Sequence, residues 1–427
     1  MAPTEEDSMR PALACRILVA FGCAMISGSY RTGHAAELSP SGYTLGQVIQ
    51  LALQYNPKVK GAEAVLEQSQ SQRIMADAYL NPTIMGTAGR GTIRDPANGV
   101  SITERTITVQ QPLEWLGKRA ARQRVADAGV GGALAGIDQT KVSVMADTKG
   151  AFFQLLFAQQ DARLARENLK TVEDLIKLVS ARVSTKEAPK FELIKATVEL
   201  QKAQKDLARA DNAFLVARAK LNTVTGKALG ESFVVQGEFE MVRADLELHR
   251  LMNQATERQP ALRRQQKMVE QAEYTIEHER ASRIPNVSVI GQYHREAGDE
   301  SMTAGLSVAL PIWYRRQGEI GAAMGAHREA QAERDRMQQE LEQTITQHFQ
   351  DMQTAQAQMK VFEQGLLHQA REALDIAQFS FRHGATSLLE VIDAQRVYRQ
   401  TLLEYAQAQA DHSIALVRLE RAVGELP

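Results

Sequence analysis

The chain is written twice, and that duplication limits the folds open to it. Leu45, Pro57 and Pro82 recur as Leu248, Pro260 and Pro285, each pair 203 positions apart. Further along, Ala196 meets Ala394, Leu221 meets Leu419 and Gly226 meets Gly424 at a spacing of 198. Pro112 and Pro311 stand 199 apart, so most of the lost length falls in a hairpin loop, where length changes cost least. Each copy reads as helix, loop, strand, strand and long helical hairpin. The expected divisions are a leader at 1–36, a first repeat at 37–240 and a second at 241–427. Their strand pairs fall near 82–111 and 286–311, and their helical hairpins near 117–226 and 318–424.

Charge and composition narrow the class. Fifty basic residues balance 51 acidic ones, leaving no basic field to hold nucleic acid by counterion release. Aromatic residues make up only 5%, which favours extended helices in thin layers over a large core. Cys15 and Cys23 both lie in the leader, so neither a disulfide framework nor a thiolate metal site is expected beyond it.

The leader reads as an export signal. Arg10 and Arg16 flank the start of the apolar run Ile17 to Ile26, which is too short to cross a bilayer and is followed by cleavage-type residues near Ala35 and Ala36. The acidic Glu5-Glu6-Asp7 does not suit a positive head and points to translation from Met9. Lipidation at Cys23 is the competing reading, but Ala20-Phe21-Gly22 is a poor attachment box.

The later strands alternate. Met302, Ala304, Leu306, Val308 and Leu310 interleave with Thr303, Gly305, Ser307 and Ala309, and Val287, Val289, Gly291 and Tyr293 with Ser288, Ile290, Gln292 and His294. The first copy offers Pro82 to Gly91 and Ser101 to Gln111 around the turn Arg94 to Gly99, with Gly89 and Gly91 placed as curvature glycines. About ten residues suffices for a tilted membrane strand, and equally for an ordinary surface hairpin. In lipid, four strands leave open edges, so several chains must close a barrel; three would give twelve strands. Trp115 and Trp313, just past Pro112 and Pro311, suit an interfacial aromatic belt or a packed strand–helix corner.

From Gly318 to Phe381 no proline occurs, and Leu341, Ile345, His348, Met352, Ala355, Met359, Phe362 and Leu366 repeat at fours and threes, a heptad seam. About 65 residues at roughly 1.5 Å each predict a helix of about 100 Å. The return helix carries its own seam from Val391 and Gln395 through His412 to Val423. His348, His412, Gln395 and Gln409 read as packed or lumen-facing positions rather than metal ligands. No nucleophile–base arrangement, phosphate loop or metal helix stands out, so no catalytic residue, cofactor or resident metal is expected.

Thr44-Leu45, Ala52-Leu53, Asn56-Pro57, Asn81-Pro82, the run Gln111 to Arg119 and the run Leu388 to Gln395 together resemble the outer membrane efflux protein family typified by TolC. Gln111 to Arg119 is most similar to the CzcC-like components of heavy-metal cation efflux systems. The resemblance implies a mainly α chain with a small β part, whose duplicated helical hairpins form a trimeric α-barrel continuous with a 12-stranded transmembrane β-barrel. It implies outer membrane lipid as surroundings, with a periplasmic adaptor (membrane fusion protein) and an inner membrane RND-type pump as partners. Cargo is expected to be cobalt, zinc or cadmium-type cations, with drug efflux as the alternative. A non-pore coiled-coil adaptor is the rival class, although adaptors carry one long hairpin and this chain two.

The same resemblance places a periplasmic gate at Glu390 and Asp393, just after the second hairpin tip, where repeated carboxylates would attract cations. Without it, both read as helix-start charges favoured by the dipole. Their counterparts in the first copy are Glu192 and Lys195, and Lys195 is expected to pair with a neighbouring acidic group. Arg182, Lys186, Arg382 and Gly384 mark the adaptor-docking tips. Where drug-exporting relatives carry a tyrosine and an arginine, this chain has Phe381 and Thr386, with Arg382 as the substitute cation.

Overall fold

Two prolines begin the architecture of each half. In the computed structural model, which describes residues 42–93, 100–240 and 246–424, helix α1 (Leu45–Tyr55) stops at Asn56 and α2 (Pro57–Asp77) begins on proline. Helices α5 (Leu248–Arg258) and α6 (Pro260–Ala281) repeat the step around Gln259. Proline suits a first turn, which has no use for its missing N–H, and its ring ends the helix before it. The leader at 1–36, with Cys15 and Cys23, lies outside the described residues, as does the turn Arg94 to Gly99.

Strands β1 (Thr83–Ile93), β2 (Val100–Leu113), β3 (Val287–Glu296) and β4 (Asp299–Val308) form one antiparallel sheet in that order. Tyr293 stands opposite both Ile107 and Met302. The β3–β4 turn uses Ala297 (φ 51°) and Gly298 (φ 101°), the left-handed pair that a two-residue hairpin requires. Pro112 falls inside β2, opposite Ser288, whereas β4 ends before Leu310 and Pro311. One face carries Ile84, Ile107, Val109, Val289, Met302 and Leu306, all exposed; the other carries threonine, serine and glutamine. The outer edges of β1 and β4 have no strand beside them among the described residues.

Below the sheet, α3 (Lys118–Ser184) runs 67 residues without a break and α4 (Lys190–Val224) returns along it. At roughly 1.5 Å per residue, α3 is about 100 Å long. The second outbound helix differs from the unbroken one expected. It runs as α7 (Gln317–Val361), then a wider turn over Phe362–Leu366, then α8 (Leu367–Arg382), before α9 (Leu388–Val423) returns. Gly365 sits at φ 144°, ψ −17°, a conformation that only glycine adopts readily. The wider turn inserts one residue, so the seam slips: Ile345, Met352, Ala355 and Met359 are buried, Leu366 is exposed, and Ala370, Leu374 and Phe381 are buried in turn. Among the described residues, no helix is long and apolar enough to cross a membrane.

Packing gives single layers. Near the sheet, α3 lies between α2 and α6, with α7 beyond α6; farther down, α3 lies between α4 and α9, with α8 beyond α9. Alanines set the close spacing, with Ala196, Ala203 and Ala210 buried at heptad positions on α4 and Ala210 packed against Ala162 and Ala165 on α3. Larger side chains gather at mid-height. Val48, Phe152, Phe153, Leu155, Leu221 and Val417 form one cluster, and Leu251, Ile345, Phe349, Met352 and Leu419 another. The kink residues lock onto the returning helices: Asn56 Nδ2 donates to the Val224 carbonyl at 2.7 Å and Gln259 Nε2 to the Ala422 carbonyl at 2.7 Å.

Candidate functional site

The two hairpin tips share one backbone solution. In the first, Lys186 (φ 63°) follows α3, with its N–H donating to Val183 O at 3.1 Å and that of Glu187 to Arg182 O at 2.8 Å. In the second, Gly384 (φ 73°) follows α8, with its N–H donating to Phe381 O at 3.0 Å and that of Ala385 to Ser380 O at 2.9 Å. A left-handed residue after the last turn satisfies carbonyls that the helix leaves open. The tips then pack together through Val179, Ala196, Phe381, Leu388, Val391 and Ile392, so both hairpins of one chain end as a unit. Phe381 is 3% exposed and takes the Arg182 guanidinium over its ring at 4.9 Å, while Arg382 faces solvent. The Thr386 hydroxyl donates to Ala377 O at 3.5 Å.

Glu390 and Asp393 occupy the first turns of α9, both exposed. Asp393 lies 3.7 Å from Arg396, one turn on, a pairing that the residue spacing itself signals. Glu192 stands in the first turn of α4, half-buried, with Oε2 lacking a hydrogen-bond partner. Lys195 Nζ lies 4.7 Å from the Phe191 ring centre and has no acidic partner within 4 Å among the described residues. At the gate positions the second hairpin therefore carries two carboxylates, Glu390 and Asp393, and the first a carboxylate and a lysine, Glu192 and Lys195.

Polar contacts join the halves above the tips. Gln395 Nε2 donates to Asn168 Oδ1 at 3.0 Å and Arg399 pairs with Asp206 at 2.8 Å, contacts that no local pattern reveals. Burial pushes the nearby Asp161 carboxyl up from its usual range. Among the described residues, no group of three or more histidine, cysteine or acidic side chains is arranged to hold a metal.

At the strand–helix junction, Trp115 and Trp313 are 47% and 90% exposed, and Leu116, Leu310 and Ile312 are exposed with them. Beneath them the chain turns charged. Arg122 grips Glu114, Arg316 Nε donates to Glu279 at 3.0 Å, and Lys118 Nζ to Asn286 Oδ1 at 2.7 Å.

A sequence model of outer membrane efflux proteins matches residues 48–227 and again 251–425. The chain belongs to the outer membrane efflux protein family. Among curated proteins it is 24% identical over 385 residues to the cobalt-zinc-cadmium resistance protein CzcC of Cupriavidus metallidurans, covering 89% of this chain and 90% of CzcC. It is 23% identical to the pyoverdine export outer membrane protein OpmQ of Pseudomonas aeruginosa, covering 89% and 83%. Among solved structures, the outer-membrane channel OprN superposes with a TM-score of 0.76 at 18% identity over 89% of each chain. CusC does so with 0.75 at 16% identity over 89% and 91%. These likenesses fix the fold as that of TolC-like channels, mainly helical with a small four-stranded antiparallel sheet. The family is one of transport conduits, and membership places the chain in the outer membrane.

Proposed function

We propose that this chain is the outer membrane channel of a tripartite efflux system, a homotrimeric passive conduit taking cargo from a periplasmic adaptor and an inner membrane RND-type pump to the exterior. The observation that carries this is the layering. The chain forms successive rows of four elements with two open ends, β1 to β4, then α2-α3-α6-α7, then α4-α3-α9-α8, with α1 packed on α3 and α5 on α7 and α9. An open sheet cannot stand in lipid, and three copies close each row into a ring of twelve. Exposed apolar residues mark the open ends, with Ile74 and Met75 on α2, Phe191, Ile194 and Val198 on α4, and Ile376 and Phe379 on α8. Residues 1–36 serve as the export signal, and 37–240 and 241–427 as the two repeats. The helical part stands in the periplasm, with Arg182, Lys186, Arg382 and Gly384 meeting the adaptor.

The gate reading rests on Glu390 and Asp393, with Glu192 and Lys195 as their unlike counterparts. Heavy-metal cations are the proposed cargo, supported by the names of CzcC, the nickel-cobalt-cadmium resistance protein NccC and the nickel and cobalt resistance protein CnrC. The likeness to OpmQ favours organic export as a second reading. Single-channel conductance in a planar bilayer tests the conduit. Small cation-selective openings are expected, and Glu390→Ala/Asp393→Ala should enlarge them or abolish selectivity. A trimeric, inserted sample without conductance would overturn the reading.

A further inference from the structure

The far end of the sheet, beside its turns, separates charge by face. Side chains alternate along a strand, so each cross-strand rung belongs to one face. On the polar face Glu104 stands opposite Glu296, and Glu296 opposite Asp299. On the apolar face Arg105 stands opposite Arg295, and Arg295 opposite Glu300. Arg90, opposite Thr103, lies on that same face two residues nearer the turn. Three adjacent strands thus each put an arginine outward, with Ile107, Tyr293 and Met302 on the next rung below.

This arrangement is unfavourable as it stands. Like charges directly opposite on antiparallel strands repel, and Arg105 and Arg295 are such a pair. Arg295 reaches Glu300 at 3.5 Å, but neither Arg90 nor Arg105 has an acidic partner within 4 Å among the described residues. Surface arginines placed for solubility alone would gain from mixing with the three carboxylates, which instead all face the other way. An anion lying against the apolar face relieves the repulsion. Guanidinium forks fit the oxygens of a phosphate in pairs.

Height identifies the source of that phosphate. From the rung Leu113, Val287 and Val308 to the rung Arg105, Arg295 and Glu300 is eight residues on each strand. That is about 27 Å along the strand at roughly 3.4 Å per residue, or about 20 Å of height at a tilt near 40°. Leu310, Ile312 and Trp313 extend the exposed apolar stretch at the other end. The arginines therefore cap a band close to the roughly 25 Å of outer-membrane barrels, at the level of lipid headgroups.

We propose that Arg90, Arg105 and Arg295 form a binding site for phosphate-bearing lipid headgroups on the outward face of the sheet. The site rests on the membrane-conduit reading. Full-length trimers reconstituted in phosphatidylcholine vesicles carrying either bisphosphorylated or dephosphorylated lipid A, with retained lipid measured by native mass spectrometry, test it. The native chain should retain the bisphosphorylated form selectively. R90Q/R105Q/R295Q should weaken that retention roughly 100-fold, on the scale of one lipid-facing charge per arginine. R90K/R105K/R295K, which keeps charge but loses the fork, should fall between them, and serves alone if the glutamine variant does not insert. E104Q/E296Q/D299N on the opposite face should retain lipid like the native chain. Equal retention of both lipids by the native chain, unchanged retention by inserted arginine variants, or inorganic phosphate competing as tightly as lipid would overturn the site. Failure of the native chain to insert in either vesicle would instead remove the conduit reading beneath it.

Discussion

The first outbound helix crosses its full length unbroken, whereas its partner in the second half is interrupted at Gly365. The halves share their order of elements yet hold themselves together differently. In the first, Phe152 and Phe153 meet edge to face at 5.9 Å and Phe239 adds a third ring at 6.3 Å from Phe153. In the second, Ile345, Phe349 and Met352 fill the equivalent level. Rigid rings leave a void that neighbours cannot fill, while a flexible methionine can move into one. Phe153→Ala should therefore cost about 4–5 kcal/mol and Phe349→Ala nearer about 3 kcal/mol, read from denaturant midpoints of the solubilised protein. Equal losses would break the contrast between the cores.

A smaller test lies at the tips, where the halves place different residues in one conformation. Lys186 holds the left-handed angle that Gly384 holds in the second half. A side chain there is strained, so Lys186→Gly should stabilise its loop by about 1 kcal/mol and Gly384→Lys should destabilise the other by about the same. Hydrogen exchange of the amides of Glu187 and Ala385 reports each loop separately. A loss on Lys186→Gly would show that the lysine side chain contributes more than its backbone strain removes.

What the sequence disclosed, and what it hid, follows the range of the forces involved. Pro57 and Pro260 announce helix starts because their effect is local, and Ile345, Met352 and Met359 announce a seam because seven residues return to one helix face. The break at Gly365 carries no such signal. Gly321 and Gly325 in α7, and Gly129 to Gly136 in α3, remain helical, so a glycine in a proline-free run does not mark itself as the odd one. The slip belongs to packing against α9, where Phe362 meets Tyr405 at 5.7 Å. At the candidate gate, spacing alone puts Arg396 beside Asp393 and Lys195, four residues on, over Phe191, but nothing local shows that Glu192 would be half-buried. Contacts such as Lys149 with Glu420, at 2.8 Å and 271 positions apart, exist only once the halves are packed.

That last contact sits in the joint between the halves, and its surroundings make the subtlest prediction. Lys149 of α3 and Glu420 of α9 lie near Glu240, whose backbone carbonyl accepts from His412 Nδ1 at 3.2 Å. His412 is 1% exposed, and its Nε2 has no partner. Burial lowers the His412 pKa below 6.5, because a second N–H would be stranded there, and burial raises that of Glu240 above 4.5 against the pull of Lys149. The two act in opposite directions. Between its lowered value and 6.5, His412 takes up a proton more readily unfolded, so its contribution to stability is lost as pH falls below 6.5. Glu240 is protonated more readily when folded, so stability recovers as pH falls through its raised pKa and the gain is complete below 4.5. On acidification of the native protein the His412 loss and the Glu240 gain therefore oppose each other. His412→Leu should become relatively more stable as pH falls and Glu240→Gln relatively less, in denaturation midpoints taken across that range. A native slope as steep as either variant's would mean that one group alone governs the joint, and that the two halves are not balanced across it.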